Sequence, residues 1–150
     1  MLRVGSVVTA RVVGLLGGIR VSSESLATRV RAQNVSAEIA DRSQATQYPA
    51  IHVYCEKIVN NLTEKFRIFS GTVQMAVELR HSQDRLEGLQ DALEEYADAV
   101  MQVLNTKRGD WGDGLFFGGE YQAAFGAVKN GGRNFLQTAK ITFEIGVSRN

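Results

Sequence analysis

Residues 126–147 read GAVKNGGRNFLQTAKITFEIGV, and the way this stretch pairs with itself decides the fold. Two runs of alternating apolar residues flank Asn130-Gly131-Gly132, with Lys129 and Arg133 on either side. Alternation at a period of two marks a strand with one buried face, so the stretch reads as a long hairpin with a basic tip. A two-residue Asn130-Gly131 turn would oppose Phe135 to Gly126 and set the apolar rows on opposite faces. A three-residue loop that includes Gly132 opposes Lys129 to Arg133, Ala127 to Phe135 and Phe125 to Gln137. It places Tyr121, Ala123, Phe125 and Ala127 on the face of Phe135, Ala139, Ile141 and Phe143. Register follows the apolar face, so the three-residue loop is expected.

Before the hairpin lies TKRGDWGDGLFFGGEY, residues 106–121, whose five glycines argue for an irregular loop. Trp111, Phe116 and Phe117 sit inside it. They are read as packing over the core edge or, as the less common alternative, as a docking surface. Upstream, residues 83–105 carry Leu86, Leu89, Leu93, Tyr96, Ala97, Val100 and Leu104 at helical spacing. On the other side of that helix Glu87, Asp91, Glu94, Glu95 and Asp98 crowd into an arc of about 100°. Such a face usually solvates a helix; a functional acidic surface is the sharper alternative.

Two strands are expected earlier still. YPAIHVYCEKIV, residues 48–59, puts Ile51, Val53 and Cys55 on one face and His52, Tyr54 and Glu56 on the other, with Pro49 at the start, where a missing donor is tolerated. KFRIFSGTVQMAVELR, residues 65–80, puts Phe69, Val73, Met75, Val77 and Leu79 on one face, with Gly71 as an expected bend or bulge. In residues 1–46, Val4, Val7, Val8 and Val12 have helical spacing that Gly17-Gly18 would end, and residues 25–34 read as a short helix or an extended arm.

The expected fold is therefore a single α+β domain over residues 1–150. An N-terminal helix or arm (1–46) precedes a core (48–147) with the order strand-strand-helix-strand-strand. The sheet has about four antiparallel strands in two hairpins, and one long amphipathic helix packs on it.

Composition agrees with a folded domain. The chain has 150 residues, 44% of them apolar and 22% charged, which excludes compositional disorder. A formal charge of +1 argues against a strongly basic nucleic-acid binder. The single cysteine, Cys55, cannot form an internal disulfide. No apolar run reaches the roughly 18 residues a membrane helix needs, so no membrane partner is expected. The start, MLRVGSVVTARVVGLLGG, loosely imitates a signal peptide but is broken by Arg11 and is read as part of the mature protein.

No catalytic constellation emerges. His52 and Cys55 are three apart on a strand and point to opposite faces, so neither activates the other. His81 stands alone, and two histidines with one cysteine offer no metal-ligand spacing. The glycines lack a phosphate-loop context. RGD at residues 108–110 and the NLT sequon at Asn61 are read as chance matches. No enzyme activity, cofactor or metal is expected.

YPAIHVYCEKIVN, the paired strands after it, the acidic amphipathic helix and GGEYQAAFGAVKNGGRNFLQTAKITFEI together resemble the tail terminator and tail-completion proteins of tailed bacteriophages, over residues 48–147. The resemblance implies a structural virion protein of the tail or neck, assembled in the host cytoplasm. Its subunits, usually six, form a ring that caps the tail tube, stops its polymerisation and joins the tail to the head-side connector or stopper. The implied partners are other copies of the chain, the tail tube protein, that connector, and DNA passing through the channel without specific binding. A head-completion or head–tail joining protein is the nearest alternative, and a small α+β enzyme a more distant one. The residues singled out as a candidate interface are Trp111, Phe116 and Phe117, the acidic helix face, and Lys129 and Arg133 as its basic counterpart on a neighbouring subunit.

Overall fold

A computed structural model describes residues 3–16, 20–21, 24–25, 30–32, 50–130 and 132–150. The Gly17-Gly18 stop, most of the 25–34 arm, Pro49 and Gly131 lie outside the described residues. The elements are α1 (Val4–Leu16), β1 (Arg20–Val21), β2 (Glu24–Ser25), β3 (Val30–Ala32), β4 (Ala50–Val59), β5 (Phe69–Gln83), α2 (Leu89–Thr106), β6 (Gly109–Gly112), β7 (Leu115–Phe125), β8 (Lys129–Asn130) and β9 (Phe135–Arg149).

The molecule is sheet-dominated, which overturns the expected two hairpins under one long helix. Seven strands join in one sheet of order β3-β4-β5-β9-β7-β6, with β8 also beside β9, while β1 and β2 form a separate pair. Among the described residues the ladders are antiparallel except β3, which runs parallel to β4 through Val30↔Ile51 and Ala32↔Val53. The axis of the sheet is β5 against β9, unbroken from Phe69↔Arg149 to Gln83↔Phe135. The four-strand reading fails because residues 109–125 form strands despite their glycines, and because β3 arrives from a distant part of the chain.

Along β9, Ala139, Ile141, Phe143, Ile145 and Val147 face one way and are buried, as are Val73, Met75, Val77 and Leu79 along β5. Both helices pack on this face. In α1, Val4, Val8, Val12 and Leu16 recur at every fourth position and are buried. Valine is a mediocre helix former, and tertiary burial outweighs that preference. Gly5 lets α1 approach β4, since a Cβ there would stand 3.3 Å from Cys55 Sγ and Ile58 Cδ1. Thr9 sits buried in the helix, its hydroxyl donating to the Gly5 carbonyl at 2.7 Å.

The second helix starts six residues later than expected. Gly88 caps it at φ 79°, a left-handed conformation that suits glycine, and Gln83 still belongs to β5. Leu89, Leu93, Ala97, Val100 and Leu104 form its buried stripe, whereas Leu86 is exposed ahead of it.

Two register details also differ. The bulge lies in β4, between Cys55 and Lys57, and β5 runs straight past Gly71. In the final hairpin Phe125 opposes Ala139 and Asn130 opposes Phe135, so the loop spans residues 131–134, longer than the three residues expected. Tyr121, Ala123 and Phe125 oppose Phe143, Ile141 and Ala139 and so keep the expected face, because the shift is by two and a shift by two preserves the face.

Candidate functional site

With both helices on one face, the other face of β5, β9 and β7 carries Thr72, Gln74, Gln122, Thr142 and Glu144. An open groove of about 890 Å³ runs over it, bounded by exposed Phe116 and by Arg108, Asn105 and Glu120 where β7 leaves its ladder between Phe117 and Tyr121. Its charges are mainly acidic. Farther along the same face Lys140 is neutralised by Glu56 at 2.5 Å, and Gln74 donates to that carboxylate at 3.3 Å.

Toward β4 the same face closes over a buried polar group. The Glu78 carboxylate accepts from the Tyr54 hydroxyl at 2.8 Å and from Arg80 Nε and Nη2 at 2.9 and 2.6 Å. Burial, and then the Glu78 carboxylate beside it, push the Tyr54 hydroxyl well above the ordinary tyrosine range. Burial lowers the Arg80 guanidinium from its usual value. His52 is buried directly across from Glu78. Burial likewise raises the Cys55 thiol, which leans on the α1 side, so the thiol and His52 do lie on opposite faces. The Tyr54 bond ties β4 to β5, and the two bonds from Arg80 hold the carboxylate in place from within β5.

From Gly109 onward the glycine-rich segment is a β-hairpin rather than an irregular loop. Phe117 is buried in the core and packs edge-on against Phe143 with ring centroids 5.6 Å apart. Trp111 is half-buried against Phe117 at 5.8 Å, and its indole donates to the Lys107 carbonyl at 2.7 Å. Arg11 of α1 clamps the hairpin from outside, donating to the Trp111 carbonyl and pairing with Asp113 at 2.8 Å. Phe116 points to the open face and is 55% exposed. The sequence segment thus splits: Trp111 and Phe117 serve this chain's own core, and Phe116 alone of the three is offered outward.

Asp91, Glu94, Glu95 and Asp98 are exposed on α2 as the periodicity requires, and Glu87 precedes the helix, its carbonyl accepting from Gln83. Lys129 and Arg133 are exposed at the tip of the β8–β9 hairpin. The structure brings that tip near the start of α2. Gln137 on β9 donates to the Gly126 carbonyl at 2.9 Å and to Gln90 Oε1 at 3.3 Å, and Gln90 donates in turn to Glu94 at 3.3 Å. The basic tip and the acidic helix start therefore share one corner of the subunit.

Sequence reasoning missed two exposed apolar patches. In the β4–β5 loop Phe66 is wholly exposed, Ile68 is 68% exposed and Leu62 stands near half-exposed, as does Ile58 at the end of β4. At the far end of β7, residues 122–130 are all exposed and include the unbroken run AAFGAV at 123–128. Neither has a sequence signature beyond apolar residues in or next to a turn.

Among the described residues no group of three or more His, Cys, Asp and Glu side chains is placed to hold a metal ion, and no helix is long and apolar enough to cross a membrane. No protein-family model matches the chain, and no curated protein matches it either.

Proposed function

We propose that the chain is a subunit of a ring in the neck of a tailed bacteriophage, one that caps the tail tube, stops its growth and presents a surface to the head-side connector. The observation that carries this reading is the one-sided cover of the sheet. Both helices lie on one face; on the other, the part that carries Thr72, Gln74, Gln122, Thr142 and Glu144 is polar and open, while Ala76, Glu78 and Arg80 of β5 are buried toward β4. Copies set side by side would turn their helices outward and line a channel with Thr72, Gln74, Gln122, Thr142 and Glu144. Hydroxyls, amides and carboxylates give a passing duplex no cationic partner, so the duplex slides instead of binding. The family resemblance over residues 48–147 supports the same assignment, with the virion as the location and six as the expected subunit number.

The test is tube growth. Purified protein added to polymerising tail tube protein should halt elongation and appear as a cap on tube ends in negative-stain electron micrographs. Tubes that elongate unchanged, with no protein on their ends, would remove the terminator reading. Association with head connectors in place of tubes would move the chain to another neck position.

A further inference from the structure

Of all the asparagines in the chain, Asn130 alone precedes a glycine. It stands at the tip of the β8–β9 hairpin, where it ends the two-residue β8 opposite Phe135, with Lys129 opposite Leu136 as the other pair of that ladder. Both β8 residues are exposed, and Gly132 at φ 93° turns the chain back toward β9. A ladder of two pairs at a hairpin tip opens more readily than the long β5–β9 ladder behind it. Among the described residues nothing hydrogen-bonds the Asn130 side chain.

The asparagines elsewhere differ in two ways. Asn60 donates to the Ile68 carbonyl and accepts from the Ser70 amide, both at 3.0 Å, and Asn105 accepts from the Tyr121 hydroxyl at 2.9 Å. Asn61, Asn105 and Asn134 precede Leu62, Thr106 and Phe135, and Asn60 precedes Asn61, so in each case a side chain crowds the backbone nitrogen that follows. After Asn130 that nitrogen belongs to a glycine, which has no side chain to shield it and lets the backbone rotate toward the asparagine amide. The flanking cations Lys129 and Arg133 add to this, because a nearby opposite charge favours the deprotonated amide that must form before attack.

We infer that Asn130 is a self-modification site, at which the Gly131 backbone nitrogen attacks the Asn130 side-chain carbonyl carbon and the asparagine becomes aspartate or isoaspartate without an enzyme. The new carbon–nitrogen bond closes a succinimide ring, and the side-chain nitrogen leaves as ammonia, taking up the proton that the backbone nitrogen gave up. Water then opens the ring, and nothing is oxidised or reduced. Attack of water on the side-chain carbonyl gives aspartate with the backbone restored. Attack on the backbone carbonyl gives isoaspartate, in which the main chain runs through the former side chain and is longer by a methylene. Either product sets a carboxylate between Lys129 and Arg133 and cancels one of the two positive charges at the tip. Isoaspartate also moves residue 130 out of step with Phe135. The reaction thus changes the basic corner of the subunit in one direction only. It rests on the hairpin alone and not on the ring reading.

The test incubates the full chain in mildly alkaline buffer and maps its peptides by mass spectrometry. Aspartate and isoaspartate should both accumulate at residue 130, faster as pH rises, while Asn60, Asn61, Asn105 and Asn134 stay intact over the same interval. On ion exchange the intact protein should gain an acidic species that elutes with the Asn130→Asp variant. Gly131→Ala should slow the conversion about tenfold, which corresponds to about 1.4 kcal/mol in the barrier. Asn130→Gln should abolish the acidic species, and melting curves check that both variants fold. Should Gly131→Ala melt early, the products of the wild-type chain decide alone, because direct hydrolysis of the amide yields aspartate without isoaspartate. An Asn130 that stays intact, a conversion no faster there than at Asn61 or Asn134, or aspartate with no isoaspartate each overturns the inference.

Discussion

The carbonyl of Val59 occupies the space that a side chain on Gly71 would need. A Cβ built there would overlap the carbonyl oxygen and stand 2.9 Å from the carbonyl carbon and 3.0 Å from the Asn60 α-carbon. These are backbone atoms at the end of a ladder, next to the Val59↔Thr72 pair, and they cannot turn aside as a flexible side chain would. The glycine is therefore a close-approach position in an otherwise regular strand.

Gly71→Ala should destabilise the fold by about 1–3 kcal/mol, the usual range for forcing volume into a packed site. Gly14→Ala is the control, since nothing lies within 4 Å of its added Cβ and alanine favours a helix. Urea denaturation of the two variants checks the pair. Equal midpoints would mean that the β4–β5 end yields to the added methyl.

The aromatic cluster makes a sharper contrast within seven residues of sequence. Phe117→Ala should cost about 3–5 kcal/mol because it empties a core site between Trp111 and Phe143. Trp111→Ala should also destabilise, by loosening the hairpin that Arg11 clamps to α1. Phe116→Ser should change stability by no more than about 0.5 kcal/mol, as exposed positions do. Thermal melts of the three variants decide which aromatics belong to the core.

Much of the sheet was legible where one physical signal acted alone. Val53, Val73 and Ile141 alternate with polar neighbours, and Leu93, Ala97, Val100 and Leu104 repeat with the helix, so β4, β5, β9 and α2 announce themselves. Legibility failed where signals competed. Gly109, Gly112, Gly114, Gly118 and Gly119 suggested a loop, yet four of them take positive φ at the ends, turn or bulge of the hairpin (Gly109 106°, Gly112 83°, Gly114 78°, Gly119 101°), and strands form between. Leu86 continued the leucine spacing into a segment that Gly88 separates from the helix. The pairing of β3 with β4 is non-local and leaves no local trace. The apolar character of Phe66 was visible, but its exposure belongs to the folded sheet alone.

Tyr54 gives the alkaline limit of stability a specific contributor. Its proton is held in the folded state, by burial first and by the Glu78 acceptor second. Above about 10, the ordinary tyrosine value, the unfolded chain releases that proton while the folded chain keeps it. The folded state then binds more protons than the unfolded one, so stability from this group is complete below that pH and falls as pH rises further. Tyr54→Phe should be less stable than wild type at neutral pH, where the hydrogen bond to Glu78 is lost, and should lose less additional stability between pH 9 and 11. Parallel slopes for the two proteins in that window would show that Tyr54 ionises with equal ease in both states.

The open face of the sheet makes a prediction about nucleic acid. If Thr72, Gln74, Gln122, Thr142 and Glu144 line a channel for DNA, their chemistry should leave the duplex unbound at physiological salt. Affinity for duplex comes chiefly from cations that release condensed counterions, with log K falling against log salt by about 0.9 for each phosphate neutralised. Exposed Arg108 at the rim supplies one such cation, and Glu120 and Glu144 in the same groove oppose it. Wild-type protein should therefore show no retention on a duplex column. Replacing Gln74, Gln122 and Glu144 together by Lys should create salt-sensitive retention with a slope that grows with the number of phosphates met. These positions lie on the solvent side of β5, β7 and β9, so the fold should survive the change, and melting curves check that it does. Firm binding of duplex by the wild-type chain, with a steep dependence on salt, would mean that this face holds DNA, and the channel assignment would fall with it.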